Sequence, residues 1–545
     1  MTDTPHSETR DVDVVIVGGG PVGLSSAVLM ERFGLKYVLI EKSETTTTHP
    51  KARGTWPRTM ELFRQWGVED AVRRRGIADD ADVFAFVESV TGHEFGRTRP
   101  EEDIGQTPAW KCICSQDVVE EELFRLSTTF VGGEILFSTE FVELSDDGDG
   151  VVVTARSTST GDVTRWRAKY VIAADGAGSP VRRQLDISMN GPSQLATVAN
   201  DYWQGDLSHV PRSSSVAGYR VMSTIGDVPS ASILNTNGRD KWLTLMGIPD
   251  ADPDARVAPW SDETVIDHAR HYTGIADLDV SVINRSVWRM SRQVAKTFKK
   301  GRVFLVGDAA HRFPPNGGFG MNSGIQDAHN LAWKLAFVLS GRAEPALLDT
   351  YDTERRPVAE SNADFSFGNF MRFIETDHAF AARNPDQIRF WIKDTENHLH
   401  SAGQGLGFSY DDGALVPDGT IKVAHRPRFY EPSDRPGGRF PHLWLDLAYT
   451  RSTIDWFDRD FVLVVGPNAD DWKEAAPQAS KTCGVNIEVR QLERADERDG
   501  IHMGLNGAVL VRPDGHVAFR MPWTPSDPTT ELIDTLGSVL RLSNH

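Results

Sequence analysis

Three cysteines in 545 residues exclude a disulfide framework. Cys112 and Cys114 flank Ile113 on an expected strand, and a C-x-C pair with no Cys or His cluster beside it makes a poor metal or redox centre. Both read as packed thiols, Cys483 as a small apolar residue, and no metal is expected. Positive charge is also scarce. Against 77 Asp and Glu there are 58 Lys and Arg, a net charge of -19, and no basic run of useful length occurs. That balance excludes a nucleic-acid partner and suits a small-molecule substrate. Apolar runs such as Val14–Val17 and Phe461–Val465 fall far short of the roughly 18 residues of a membrane helix, so no membrane partner is expected. The N-terminal MTDTPHSETRDVD is polar and acidic without the basic start of a signal peptide, which predicts a cytoplasmic protein. Internal repeats are lacking too. The length accommodates two or three domains, and nothing in the pattern decides whether copies associate, so a homo-oligomer stays open.

What is present concentrates in residues 301–341. Val303–Val306 reads as a buried strand that Gly307 and Asp308 end. A loop follows with Pro314, Pro315, Gly317, Gly318 and Gly320. Asn322 or Ser323 is the expected cap of a helix whose apolar residues Ile325, Ala328, Leu331, Ala332, Leu335 and Val338 recur at helical spacing. A strand thus delivers an acid to a glycine-rich loop, and the loop delivers free N–H groups at a helix start, an arrangement that attracts an electron-rich partner.

A second phosphate-binding pattern opens the chain. The run VDVVIV, residues 12–17, is apolar throughout, as in a central parallel strand. GGGPVG follows and sets Gly18, Gly20 and Gly23 in G-x-G-x-x-G register. A helix ending at Gly34 and a strand finishing at Glu41 come next. Such glycines permit a tight turn and close approach of backbone to a pyrophosphate, and the terminal acid suits a ribose hydroxyl. One fingerprint serves one dinucleotide and does not by itself separate FAD from NAD.

The segment GDAAHRFPPNGGFGMNSGIQDAHNLAWKL resembles the second flavin motif of single-component (group A) flavoprotein aromatic hydroxylases, the p-hydroxybenzoate and phenol hydroxylase-like proteins. The resemblance implies that Asp308 holds the ribityl chain of FAD, that Pro315 and its loop cover the flavin ring, and that the N–H groups of Gly320, Met321 and Asn322 face its pyrimidine edge. It further implies a flavin contact for Arg53 and for Gln116, and a place near the pyrophosphate and the NAD(P)H path for the motif of Asp175, Gly176, Ser179 and Arg182. Pro315 and Arg53 are the expected catalytic positions. Phenol hydroxylase-like members place an aspartate substrate base where this chain has Arg53, so no base carries over.

The expected fold is α/β. A discontinuous Rossmann-like FAD-binding domain covers 1–78, 111–188 and 293–400. An antiparallel-sheet substrate domain covers 79–110 and 189–292. A Gly- and Pro-rich linker, 401–424, leads to a thioredoxin-like C-terminal domain, 425–545, without C-x-x-C. Pocket candidates in the substrate sheet are Trp203, Tyr219, Arg220, Asn235, Trp242, Met246 and Trp288; of the adjacent Tyr219 and Arg220 only one can face the pocket. The resemblance implies that NADPH or NADH reduces FAD, O2 adds at the flavin C4a, and the resulting hydroperoxide hydroxylates a phenolic or polycyclic aromatic substrate. Two alternatives stand beside this: Baeyer–Villiger oxygenation on the same scaffold, and a non-catalytic flavoprotein that sequesters an aromatic ligand.

Overall fold

The structure, a computed structural model, describes residues 9–103, 105–210, 215–222, 229–248, 257–493 and 500–543. The polar N-terminal residues 1–8 lie outside them.

Fully apolar runs make the centre of the first sheet, since a strand covered on both faces needs apolar residues at every position. Thr9–Val17 lies in the middle, parallel on one side to Val163–Ala173 and on the other to Tyr37–Ile40. Gly133–Leu136 and Val303–Leu305 extend the parallel array at its two ends. An antiparallel meander, Thr139–Asp146 and Val151–Ser157, folds onto the long Val163–Ala173 strand. Helices Pro21–Arg32, Gln116–Ser127 and Phe319–Leu339 pack on this sheet, and their apolar faces join its buried core.

The alternating segments of the middle of the chain form a seven-stranded sheet in the order Ser281–Met290, Ala196–Gln204, Lys241–Gly247, Ala231–Asn235, Gly218–Val221, Phe84–Val87 and Glu94–Arg97. Every pairing in it is antiparallel except Gly218–Val221 with Phe84–Val87. One face carries helix Asp262–Thr273, and the other turns toward the first sheet and the long helix Thr350–Ala381.

The C-terminal sheet runs Ile487–Gln491, Phe461–Val465, Ala508–Val511, Val517–Met521. Its first pair is parallel and the rest antiparallel, with helices Asp470–Cys483 and Pro528–Leu540 alongside: a thioredoxin-like arrangement. It is anchored to the first domain by shared core, because Trp333 and Phe337 of Phe319–Leu339 pack on Phe461. Of the stretch 401–424, expected as a linker, the first part is instead packed: Ala402–Leu406 is a buried helical turn, and Tyr410 and Leu415 are buried, whereas residues 417–424 are mostly exposed and without regular structure. Glycine there serves close contact, since a Cβ on Gly403 would stand 1.9 Å from the Arg426 carbonyl oxygen. The three cysteines are buried and form no disulfide.

Candidate active site

The turn after Thr9–Val17 is built for close approach. Gly18 has φ +107°, and a Cβ there would stand 2.3 Å from the Ala174 carbonyl oxygen. A Cβ on Gly23 would stand 1.9 Å from the Gly18 carbonyl oxygen. Gly20 differs: nothing lies within 4 Å of its added Cβ. Gly20 is also the N-cap of Pro21–Arg32 and supplies no side-chain cap, so the N–H groups of the first turn point into open space. Glu41 closes the turn from the next strand, accepting from Gly19 N at 2.7 Å and Ser43 N at 2.9 Å.

Asp308 lies on a helical turn at the end of Val303–Leu305. Its side chain is open to the cleft although protein surrounds it on all sides. Burial raises its carboxyl above the ordinary range, while His311, Arg312 and Lys51 pull it back, and no other described residue hydrogen-bonds to it. Such an acid suits a hydroxyl-rich partner. Asp327, from inside the long helix, accepts from Gly307 N at 3.2 Å and so fixes the turn. Asp175 Oδ2 accepts from Val181 N at 3.0 Å while its buried Oδ1 has no partner, and Arg182 Nη1 donates to Ala309 O at 2.9 Å, which ties the two acid loops together.

The helix expected to be capped by Asn322 or Ser323 begins earlier. It spans Phe319–Leu339 with Gly318 as N-cap at φ +68°, because a glycine tolerates the left-handed conformation that an asparagine cap was not needed to supply. Helical geometry therefore leaves free the N–H groups of Phe319, Gly320 and Met321, and assigns that of Asn322 to the helix. The Asn322 side chain instead knits the wall of the site, accepting from Trp56 N at 2.9 Å and donating to Gly54 O at 2.9 Å and Gly318 O at 2.6 Å. Trp56 Nε1 donates to Gly317 O at 2.8 Å, and Pro315 stands exposed at the head of that loop. A Cβ on Gly320 would lie 3.8 Å from Asp308 Oδ1, so acid and helix start share one cradle.

Gln116 is buried, with its Nε2 turned to Glu120 Oε1 at 2.8 Å. Arg53 Nη1 donates to Ala217 O at 2.5 Å and Asn235 O at 3.0 Å, the residue just before one strand of the seven-stranded sheet and the last residue of its neighbour. Lys51, two residues before Arg53, acts with Arg312 on Asp308, and sequence reasoning missed it although it stands in the same K-A-R triplet. Arg58 is withdrawn into the C-terminal interface, with Nη1 at 2.8 Å from Glu61 and Nη2 at 2.6 Å from Asp514 O.

The parity of the strands corrects the pocket candidates. Trp203, Tyr219, Trp242 and Met246 are buried on the far face, in the core against helix Asp262–Thr273, where Tyr272 OH approaches Met246 Sδ at 3.1 Å. Asn235 makes the following turn, its Oδ1 accepting from Asn237 N and Gly238 N. Arg220 does face the other way and pairs with Asp377, at 2.5 Å. Trp288 is half-buried on the edge strand. The near face is a continuous row through paired strands, Tyr202, Leu243, Leu234, Gly218 and Phe84. Helix Thr350–Ala381 covers its Phe84 end through Phe380, and His49 covers its Tyr202 end, with Nε2 at 3.3 Å from Ser286 Oγ. Arg53 stands between. A separate cavity lined by Leu406, His425, Phe429 and Arg435 belongs to the packed connector, away from this cleft.

A dinucleotide cradle joined to an acid-and-helix flavin cradle, beside an aliphatic and aromatic sheet, defines a flavoprotein oxidoreductase. The glycines, the partnerless Asp308 and the orphaned Asp175 oxygen fit FAD. Residues 11–366 match the FAD binding domain family, and residues 433–540 the aromatic-ring hydroxylase C-terminal family. The chain is 36% identical to a putative polyketide hydroxylase of Streptomyces halstedii, over 99% of this chain and 98% of that one. It is 33% identical to tetracenomycin A2 monooxygenase-dioxygenase of Streptomyces glaucescens, over 98% and 97%. The flavin-dependent monooxygenase PieE, solved with FAD and substrate, superposes with a TM-score of 0.89 at 31% identity, over 97% of this chain and 99% of that one. This chain belongs to the FAD-dependent aromatic-ring hydroxylase family of monooxygenases. Among the described residues no helix is long and apolar enough to cross a membrane.

Proposed function

We propose that this chain is a cytoplasmic, NAD(P)H- and O2-dependent hydroxylase of a polycyclic phenol. The observation that carries this is the segment from His49 to Trp56, which meets the Asp308 cradle through Lys51 and the Gly317 loop through Trp56, and meets the apolar Tyr202, Leu243, Leu234 row through His49. The polyketide hydroxylase likeness points to the same substrate size. In this reading residues 1–78, 111–188 and 293–400 form the cofactor domain, 79–110 and 189–292 the substrate domain, and 425–545 the C-terminal domain.

Bound FAD supplies electron transfer from NAD(P)H and activation of O2. The chain's own part is binding, orientation and exclusion of water. Gly18, Gly20, Gly23 and Glu41 would hold the adenosine and pyrophosphate half, with Asp175 near the pyrophosphate, and Asp308 would hold the ribityl chain. The N–H groups of Gly320 and Met321 would hold the pyrimidine edge of the ring and favour its negative charge, and Pro315 would line the loop beside it. Overall, one aromatic C–H becomes C–OH, one O2 and one NAD(P)H are consumed with a proton, and water and NAD(P)+ leave.

Turnover in 18O2 with hydroxylated naphthalenes, anthraquinones and simple phenols tests this reading. One 18O atom on an intact ring of a polycyclic phenol supports it. Oxygen inserted beside a carbonyl would assign Baeyer–Villiger chemistry instead, and binding without NAD(P)H oxidation would assign sequestration.

A further inference from the structure

A small cavity lies where helices Pro57–Trp66, Phe319–Leu339 and Thr350–Ala381 meet the C-terminal hairpin of Ala508–Val511 and Val517–Met521. Arg58, Gln326, His329, Arg355, Tyr410 and His516 line it, and it has room for about one water-sized body. Its polar atoms are mostly donors. Tyr410 OH accepts from Asn330 Nδ2 at 3.3 Å and from Arg355 Nη1 at 3.4 Å, and no described residue accepts its proton. Neither ring nitrogen of the buried His516 has a hydrogen-bond partner, Nδ1 standing 3.7 Å from Asp514 Oδ1. Each of His329 and His516 brings one N–H when neutral, and the Gln326 amide brings two.

The charges packed around the cavity do not balance. Glu61 is shared by Arg58 Nη1, at 2.8 Å, and Arg439 Nε, at 3.1 Å. Asp327 pairs with Arg355, and Asp514 with Arg512. Glu354 is shared by Arg512 and Lys334, each at 2.8 Å. Five cations thus stand among four carboxylates, and none of these side chains is more than 3% exposed. The neutral groups supply no missing anion. Burial lowers Lys334 only to about 8, so it stays charged at neutral pH, and pushes the Tyr410 hydroxyl up to about 12. Burial, then Arg58, holds His329 down to about 3, and burial lowers His516. His311, beside Asp327, can only add to the positive excess. An unmatched buried charge is costly, and a site of that kind gains from an anion.

We propose that this cavity binds one monatomic halide anion, chloride under physiological conditions, among Arg58, Arg355, Tyr410 and the two histidines, and that the ion clamps the C-terminal domain onto the cofactor domain. The lining comes from both sides of that junction, Arg58, Gln326, His329 and Arg355 from the cofactor domain and His516 from the C-terminal hairpin. A water molecule in the same place would satisfy the donors but leave the fifth cation unmatched. Sulfate and phosphate exceed the space.

The test uses the FAD-loaded enzyme in chloride-free gluconate buffer, with sodium chloride, bromide or further gluconate added at one fixed ionic strength, so that general screening stays constant. The thermal unfolding midpoint rises with chloride and with bromide and saturates, as binding to the folded state alone requires, and does not rise with gluconate. Crystals grown without chloride and soaked in bromide show one anomalous peak enclosed by Arg58, Arg355 and His516. Gln326→Glu places a carboxylate of nearly the same shape at the cavity. That variant is stabilised without halide, gains nothing from chloride and shows no bromide peak. Should it fail to fold, the bromide-soaked wild type decides alone. A cavity that holds water in those crystals, equal midpoints in halide and gluconate, or a halide effect that grows without saturating overturns the proposal. So does a folded Gln326→Glu enzyme that keeps the full chloride response.

Discussion

His311 Nε2 and Asp327 Oδ2 stand 2.7 Å apart, neither side chain reaching solvent. The same carboxylate accepts from Gly307 N at 3.2 Å and from Arg355 Nε at 2.8 Å. Burial pushes the Asp327 carboxyl up, but His311 and Arg355 outweigh it and hold it below the ordinary range. A charge in the helix thereby fixes the turn that presents Asp308.

Asp327→Asn keeps the shape and removes the charge, leaving Arg355 buried without its anion. A loss of about 3–5 kcal/mol is expected, together with weaker FAD binding as the Gly307 turn relaxes. Denaturant unfolding and FAD titration check both. A large stability loss with unaltered FAD affinity would separate Asp327 from the cofactor.

Gly20→Val and Gly23→Ala should fail in different ways. At Gly20 φ is -73° and the added Cβ meets no protein atom, so the variant folds but blocks the pyrophosphate. At Gly23 the Cβ would press on the Gly18 carbonyl, so this variant unfolds at lower temperature or denaturant. Circular dichroism against FAD content distinguishes them. A yellow, fully loaded Gly20→Val enzyme would remove the pyrophosphate from that turn.

Asp308→Ala removes the acid of the flavin cradle to which no described residue hydrogen-bonds. The purified variant should carry little FAD, with affinity reduced about tenfold or more, as expected of a charge-assisted hydrogen bond. Its fold should persist, since no internal contact is lost.

Glu354 is the centre of a buried network joining the C-terminal domain to the first. It accepts from Arg512 at 2.8 and 2.9 Å, Lys334 at 2.8 Å and Asn330 at 2.6 Å. Burial alone would raise its carboxyl, but Arg512 and then Lys334 bring it from 4.5 to about 2. Lys334 is lowered to about 8, chiefly by burial, since it shares its carboxylate with Arg512. The attraction therefore resides mainly in Arg512. A carboxyl depressed on folding stabilises above its unfolded pKa and loses that stabilisation as pH falls through the folded value. The gap between wild type and Glu354→Gln, about 3 kcal/mol at neutral pH, should narrow from about pH 4.5 to 2. Arg512→Met should cost more than Lys334→Met, in unfolding midpoints at pH 7.

The features legible in the sequence are those decided within a dozen residues. G-x-G-x-x-G between strand and helix, Glu41 at a strand end and Asp308 before a glycine loop all stand where their neighbours require. Trp203, Tyr219 and Met246 were legible as strand residues, but which face the helix Asp262–Thr273 covers depends on packing across the sheet. The direction of Arg53 is set by carbonyls more than 160 residues away, at Ala217 and Asn235. The connector around Gly403 looked loose because glycine serves flexible turns and tight contacts alike. Asn322 was a plausible cap until Gly318 supplied the left-handed turn.

The central claim is that an aromatic substrate, held between the Asp308 cradle and the Tyr202–Leu243 face, governs use of the reductant. The account gives the dinucleotide turn before Pro21–Arg32 to FAD, has NAD(P)H bind transiently, and requires the reduced flavin to be protected from idle oxidation. Anaerobic stopped-flow reduction by NADPH and NADH, with and without polycyclic phenols, paired with oxygen uptake and product analysis, tests it most directly. The account predicts slow reduction alone, marked acceleration by a fitting phenol, and one O2 consumed per ring hydroxylated. A reduction rate that no aromatic compound alters, with no oxygen gained by any of them, would contradict it.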